Sequence, residues 1–431
     1  MAVPGDVVEL SVEKPAVGGR MLSRLEGQVV LVSGAIPGER VAARIELDQR
    51  GVLYASTQQV LEAHAARRPT VADPACGGMT YAHITLDHQR RLKAEVVADA
   101  FLRIGKFSPP EPIGVAESPE RGYRMRARLH VRRGRLGSFR AGTHEICDYA
   151  GTGQLLDETN EVIGEIAARL TRRGIEELAS IEIAENIGAD ERVVHVDCDA
   201  APMLDGATLA DLAAVPKVTG LSAASRGARP LAVAGRSWVA DRLDAVVPGL
   251  DQRSAPLPLR RHARSFFQAN RFLVSRLVAT VLEWLPPGLL VDLYAGVGLF
   301  AVCAAARGQQ LVVAVEGDRA SAADLRHNAG PFRASLRVES AAVEEFLASR
   351  PPRQPATLIV DPPRTGMSRR GMDGVLRFGA RRIIYVSCDV ATLARDAGRL
   401  VGAGYSLAHL EAFDLFPNTP HIESMAVFDR R

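Results

Sequence analysis

Apolar and polar residues alternate through residues 5–61, in the runs VVELSVE, QVVLVSGAIPGERVAARIEL and VLYASTQQVLE, with turn residues between them. A period of two marks strands with one buried face, and a small antiparallel barrel is the economical arrangement. The run RRPTVADPACGG at 67–78, with Pro69, breaks the pattern, and residues 83–105, HITLDHQRRLKAEVVADAFLRIG, then space their apolar positions as a helix does. From about 121 to 250, short β-like runs (RMRARLHVRR, LASIEIAE, RVVHVD, RPLAVAG) mix with one clear helix, TNEVIGEIAARLTRRG, which predicts an α+β region. From about 270 the rhythm becomes helix, LLVDLY, helix, LVVAVE, helix, ATLIVD, helix, RIIYVSC, helix and a final MAVFDR strand. Continuous apolar strands alternating with helices predict a parallel sheet covered on both faces. Three units are therefore expected: a β-barrel at 1–62, a linker and central α+β domain at 63–260, and an α/β domain at 261–431.

A length of 431 residues agrees, since one hydrophobic core rarely extends beyond ~250–300 residues. Apolar residues at 47% and charged residues at 24% exclude a disordered, collagenous or small disulfide-stapled chain. The net charge of +3 hides an imbalance, because only Lys14, Lys93, Lys106 and Lys217 among the 53 cations are lysines. Most of the arginine excess is compositional. Residues 121–140, however, carry eight arginines and no acid, an electrostatic footprint for a polyanion such as nucleic acid. Five cysteines without paired spacing, and an N-terminus without an apolar leader, predict a reduced cytoplasmic setting. The apolar stretch at 289–306 is interrupted by Asp292 and two glycines, so it reads as strand, turn and helix rather than a membrane span.

In such sheets ligands bind beyond the carboxyl ends of the strands. The first strand runs into Asp292-Leu293-Tyr294-Ala295-Gly296-Val297-Gly298, whose glycines allow a sharp turn and close backbone approach, and the next ends at Glu316, placed to bind a ribose diol. Position 301 is Ala, so the loop leaves dinucleotide and adenosyl cofactors both open. The third strand ends in Asp361-Pro362-Pro363-Arg364, a stiff wall with one anion and one cation. The fourth ends at Cys388, at a helix N-terminus where the macrodipole is expected to lower a thiol pKa, which makes it the candidate nucleophile. Cys303 reads as core and Cys198 as an edge or loop residue. His421 and Glu423 are candidate bases ahead of the last strand.

Taken together, FFQAN (266–270), DLYAGVGLF, Glu316, DPPRTGM (361–367), VSCD with TLARD (386–396) and FPNTPHIE (416–423) resemble, in order and spacing, the RNA uracil-C5 methyltransferases, which make 5-methyluridine. Residues GGRMLSRLEGQVVLVSGAIPGERV resemble that family's TRAM domain, an OB-like RNA-binding barrel, and GYRMRARLHV the start of its central domain. The resemblance implies a Rossmann-like class I methyltransferase domain and S-adenosylmethionine as cofactor, with Gln268, Tyr294, Gly296, Gly298, Glu316 and Asp361 lining its site. It implies that Cys388 adds to C6 of a uridine and that Glu423 removes the C5 proton. The uridine must be single-stranded or flipped out of its stack. By analogy, ribosomal RNA (23S) is the expected substrate and transfer RNA the alternative, acted on by a monomer.

Arg364 beside the developing enolate, and Arg124, Arg126 and Arg128 on the RNA backbone, are further candidates from charge alone, as is the RRHAR run at 260–264. Many family members hold an iron–sulfur cluster on four cysteines with a C-G-G-C element. Here the stretch is Cys76-Gly77-Gly78-Met79 and Cys147 does not fall where a fourth ligand is expected, so no cluster and no metal are predicted. The family's Ser-Cys-Asn-Pro is Ser387-Cys388-Asp389-Val390, and Asp389 is expected to raise the thiol's pKa. Two rival readings remain: an amino-group methyltransferase that needs neither Cys388 nor Glu423, and a non-catalytic RNA-binding protein that does not bind S-adenosylmethionine.

Overall fold

The computed structural model describes residues 2–70, 72–110, 112–140, 143–198, 204–225, 230–349 and 356–430. Strands β1 (Val7–Pro15), β2 (Met21–Leu25), β3 (Gln28–Ser33), β4 (Arg40–Gln49) and β5 (Val52–Glu62) close a barrel in the order β1-β2-β3-β5-β4. Its alternating residues Leu10, Val12, Val30, Val32, Val41, Ala43 and Ile45 fill the interior. The expectation of a wholly antiparallel barrel needs one correction: β3 and β5 run parallel. A ring of five strands cannot alternate direction all the way round, so one parallel pair is required.

Helix α1 (Leu86–Ala100) touches the barrel core through Leu92, while Val96, Val97 and Ala100 join the core of the C-terminal sheet. A single π turn, Phe101–Gly105, extends it. Strand β6 (Gly114–Ala116) then pairs with the far edge of that same sheet.

The central sheet is built from β7 (Arg126–Arg132), β8 (Arg135–Phe139), β9 (Ile146–Cys147), β10 (Leu178–Glu185), β11 (Arg192–Cys198), β12 (Gly220–Ser225) and β13 (Pro230–Gly235), in the order β13-β12-β11-β10-β7-β8-β9. Helices α2 (Asp157–Arg172) and α3 (Gly206–Ala213) cover one face, burying Leu129, Val131, Ile181, Val194 and Val196. A hairpin of β14 (Trp238–Arg242) and β15 (Pro258–His262), with the short α4 (Leu243–Val246) between them, connects to the C-terminal domain.

That domain contains α5 (Val274–Glu283), β16 (Leu289–Leu293), α6 (Leu299–Ala306), β17 (Leu311–Val315), α7 (Arg319–Ala329), β18 (Leu336–Glu339), α8 (Val343–Ser349), β19 (Ala356–Val360), α9 (Arg369–Phe378), β20 (Arg382–Ser387), α10 (Val390–Gly402), β21 (Tyr405–Phe413) and β22 (Glu423–Arg430). The sheet order is β18-β17-β16-β19-β20-β22-β21-β6, parallel from β18 to β20. Helices α5, α6 and α7 pack on one face and α1, α8, α9 and α10 on the other. Strand β22 runs antiparallel to β20, so its first residue lies at the edge where the parallel strands end.

Candidate active site

The carboxyl edge of this sheet carries the candidate chemistry because each parallel strand ends there. After β16 the chain turns through Tyr294 at φ +61, a left-handed conformation rare for a side-chain-bearing residue. Gly296 (φ +57) and Gly298 (φ +95) complete the turn. Glu316, just past β17, holds that turn in place: its Oε2 accepts from the Gly296 N–H at 2.7 Å and its Oε1 from the Asp318 N–H at 2.6 Å. Asp292 is fully buried and accepts from the Ala301 N–H at 3.0 Å, which fixes the start of α6.

Beyond β19, Asp361 begins the Pro362-Pro363 wall, and the Gly366 N–H donates to the Pro363 carbonyl at 2.8 Å. Asp396 of α10 anchors the end of this loop, accepting from the Met367 N–H at 3.2 Å and the Tyr385 hydroxyl at 2.8 Å. Cys388 follows β20, half-buried, one residue before α10 is capped by Asp389, whose carboxylate accepts from the Thr392 N–H at 2.8 Å. Glu423 opens β22 at 2% exposure, and its Oε1 has no hydrogen-bond partner among the described residues.

These side chains meet around a cavity of about 550 Å³. Gln268, Tyr294, Gly296, Glu316, Asp361, Arg364, Cys388 and Glu423 all line it, with Arg264, Phe266, Phe267 and Phe416. Gly298 does not. It starts α6, where an added Cβ would come within 2.7 Å of Leu325 and Val302 side-chain carbons.

Burial dominates the electrostatics. It pushes Glu423 well above the usual carboxylate range, reinforced by Asp361 and opposed by Arg364. Asp361 is pushed up to about 7 by burial. Cys388 is raised to about 11, first by burial and then by Glu423, with Arg364 lowering it and Asp361 adding to the rise. The expectation of a thiol acidified by its helix therefore needs correcting: desolvation and two neighbouring carboxyls outweigh the helix terminus. Asp389, the acid suspected from sequence, is instead occupied with the helix cap. His421 lies outside the cavity lining and is lowered to about 4 by burial together with Arg364, Lys93 and Arg124, so it is neutral at pH 7.

The arginines near 121–140 divide. Arg124 donates to the Arg126 carbonyl and to Gln154, and lies 5.7 Å from the Phe416 ring centre. Arg126 is paired with Glu182. Arg128 is 58% exposed, with only a 4.0 Å contact to Asp197. None of the three lines the cavity.

Two cysteines differ from expectation. Cys198 lies in β11, between β10 and β12, at 1% exposure, so it is an interior strand residue. Cys147 packs against Cys76 and Met79 in a small buried cluster, and burial first and then Cys147 raise Cys76 to about 12. Sequence spacing gave no sign of this pairing. Two thiols and a methionine do not fit a four-thiolate cluster, and among the described residues no group of three or more His, Cys, Asp or Glu side chains is placed to hold a metal. No helix among the described residues is long and apolar enough to cross a membrane.

Sequence reasoning also missed the supports of the 414–423 loop. Lys93 and Asp414, each 1% exposed, form an ion pair, and Lys93 Nζ donates to the Phe416 carbonyl at 3.2 Å. Asn418, at φ +65, accepts from Arg68 and Gln89 and donates to Glu120. A lysine on the buried face of an apolar helix, in a chain with only three others, is the signal that was available.

Residues 319–431 match the family described as tRNA (Uracil-5-)-methyltransferase, and residues 2–57 match the TRAM domain. A Hahella chejuensis protein named 23S rRNA (uracil(1939)-C(5))-methyltransferase RlmD is 31% identical, covering 99% of this chain and 98% of its own. A Streptomyces avermitilis protein named an uncharacterized RNA methyltransferase is 29% identical over the same shares. The crystal structure of Pyrococcus abyssi tRNA (uracil-54, C5)-methyltransferase in complex with S-adenosyl-L-homocysteine shares the fold, with a TM-score of 0.75 at 22% identity, covering 98% of this chain and all of that one. With nearly a third of its residues shared along almost the entire length of both chains, the protein belongs to the family of RNA uracil-C5 methyltransferases.

Proposed function

We propose that the protein methylates C5 of a uridine in 23S ribosomal RNA, with Cys388 as nucleophile and Glu423 as base. The observation that carries this reading is the Cys388 thiol just past β20 and the Glu423 carboxyl at the start of the neighbouring β22, both lining one cavity. The cavity suits S-adenosylmethionine: its volume matches a ligand of that size, the buried Gln268 lines it, and Glu316 and Asp361 present carboxyls at strand ends. When bound there, the cofactor supplies an electrophilic methyl group on a sulfonium.

Uracil C5 is a poor nucleophile. Once its proton is lost to solvent, the Cys388 thiolate adds to C6, moving the C5–C6 π electrons toward C5 and the C4 carbonyl and making C5 an enolate-type carbon that takes the methyl. Arg364 is the chain's own cation beside the developing charge. Glu423 then takes the C5 proton, the C5–C6 double bond re-forms, and the C6–S bond breaks to release the thiolate. A buried carboxyl with a raised pKa, one of whose oxygens has no hydrogen-bond partner among the described residues, is a stronger base once ionised than one in water. The reading takes the protein as a monomer acting in the cytoplasm.

The central experiment uses Glu423→Gln. That variant is expected to stall with methylated RNA bonded to Cys388, a denaturation-resistant complex absent in Cys388→Ala. Normal turnover in Cys388→Ala, or no complex with Glu423→Gln, defeats the scheme in favour of amino-group methylation. The choice of 23S over transfer RNA rests on the relatives named for 23S rRNA across the full chain length. Mapping 5-methyluridine in both RNAs from a deletion strain decides it.

A further inference from the structure

We propose that the uncovered face of the central sheet along β7, from the active-site rim to the β7–β8 hairpin, is a track for the single-stranded RNA that flanks the target uridine. This rests on RNA being the substrate. Parity places Arg126, Arg128, His130 and Arg132 of β7 on the face opposite the buried Ala127, Leu129 and Val131. The β14–β15 hairpin covers only the β10–β11 part of that face, through Val239 and Ala263 against Ala184 and Val193. The β7 part stays open, as Arg128 shows.

The track starts at the cavity. Arg264, exposed and without an acid partner among the described residues, lines the methylation pocket, and its carbonyl accepts from Arg126 at 3.4 Å. From Arg126 to Arg132 the strand covers ~20 Å, a distance that several nucleotides of an extended strand span. At the far end Arg132 faces Arg135 in register, so Arg133 and Gly134, both at positive φ, form a two-residue hairpin tip. The Arg133 and Arg135 side chains are exposed there without an acid partner among the described residues, although the Arg133 N–H donates to Glu177 at 3.1 Å.

Beside them stands an aromatic step: His130 stacks on Phe139 with ring centres 4.1 Å apart, and the exposed His144 meets Phe139 edge-on at 5.3 Å. The Arg132 guanidinium lies 5.9 Å from the same ring. A cavity of about 970 Å³ opens at this end. Glu182 is committed to Arg126, Glu177 to Arg132 and Asp73 to Arg140, and Arg128 has the 4.0 Å contact to Asp197, which leaves Arg264, Arg133 and Arg135 as cations without an acid partner among the described residues. Spaced cations with ring faces between them are what an unpaired strand requires.

The test compares binding of a twelve-nucleotide oligouridylate and of the trinucleotide UUU, which is too short to leave the pocket. The triple variant Arg128→Glu, Arg133→Glu, Arg135→Glu is expected to weaken dodecamer binding by about tenfold or more at 0.1 M salt. The salt slope of log affinity should flatten by ~2, since a single strand contributes about 0.7 per phosphate contact. UUU binding should not change, and Arg172→Glu, exposed on α2 across the sheet, should leave both probes unaffected. A dodecamer affinity and slope equal to wild type, or equal losses for both probes, overturns the track. A wild-type protein that binds neither probe defeats the RNA-substrate reading itself. The neutral Gln triple, expected to show an intermediate loss, separates charge from misfolding.

Discussion

Cys388 directly follows Ser387, and Glu423 directly precedes Ser424, the residues that form the last pair of the antiparallel β20 and β22. The end of that ladder brings the segment after β20 and the start of β22 to one side of the cavity that both residues line. The same proximity explains why Glu423 is the first neighbour to raise Cys388 after burial.

The thiol should therefore be slow to ionise in the protein alone. Alkylation of Cys388 by iodoacetamide is expected to climb about tenfold per pH unit from pH 7 to 10 without a plateau, because its pKa lies at about 11. Glu423→Gln removes a charge that raises this value, so alkylation should be faster at each pH. Arg364→Gln removes the charge that lowers it and should slow the reaction. A plateau below pH 9 in the unaltered protein would show that burial does not control the thiol.

Asp361 couples cofactor affinity to pH. Burial places it at about 7, so it is ionised above pH 7 and increasingly neutral below. The ionised form attracts a sulfonium, which S-adenosylmethionine carries and S-adenosylhomocysteine lacks. The preference for the first over the second should fall as pH drops from 8 to 6, by up to about tenfold per unit below the pKa. Calorimetric titration of both ligands across that range measures it, and Asp361→Asn should remove the trend.

The placement of Asp292, Glu316, Asp361 and Cys388 was legible because a parallel sheet puts every strand's end on one edge, and apolar strands announce where they stop. Strand β21, YSLAHLEAF, and the three-residue β6 were not, since neither has a continuous apolar run and β6 pairs with a strand almost three hundred residues away. The arginine block looked uniform because strand parity assigns a face but not a partner. Only the fold shows that Arg126 is spent on Glu182 from another strand while Arg128 is not. The approach of Cys147 to Cys76 is tertiary in the same sense.

The two turn glycines should respond differently. Gly298→Ala combines φ +95 with contacts of 2.7 Å to Leu325 and Val302, so it should cost ~2–4 kcal/mol and lower the melting temperature by several degrees. At Gly296 an added Cβ meets nothing nearer than the Phe266 carbonyl at 3.9 Å, which leaves only the left-handed penalty of ~1–2 kcal/mol. Thermal melts of both variants distinguish them, and equal losses would refute the steric account.

Lys93 and Asp414 form a buried pair whose members depend on each other. Lys93→Met leaves Asp414 buried without its cation and should destabilise by about 3–5 kcal/mol. The double variant Lys93→Met, Asp414→Leu removes both charges and should recover most of that loss, since it leaves no buried charge unpaired. It cannot restore the bond from Lys93 to the Phe416 carbonyl, which ties down the loop leading to Glu423. The double variant should thus melt near wild type, bind S-adenosylmethionine normally and still turn over at least tenfold more slowly, because a loosened base misses its proton. Full turnover in a stable double variant would reduce the ion pair to a packing element.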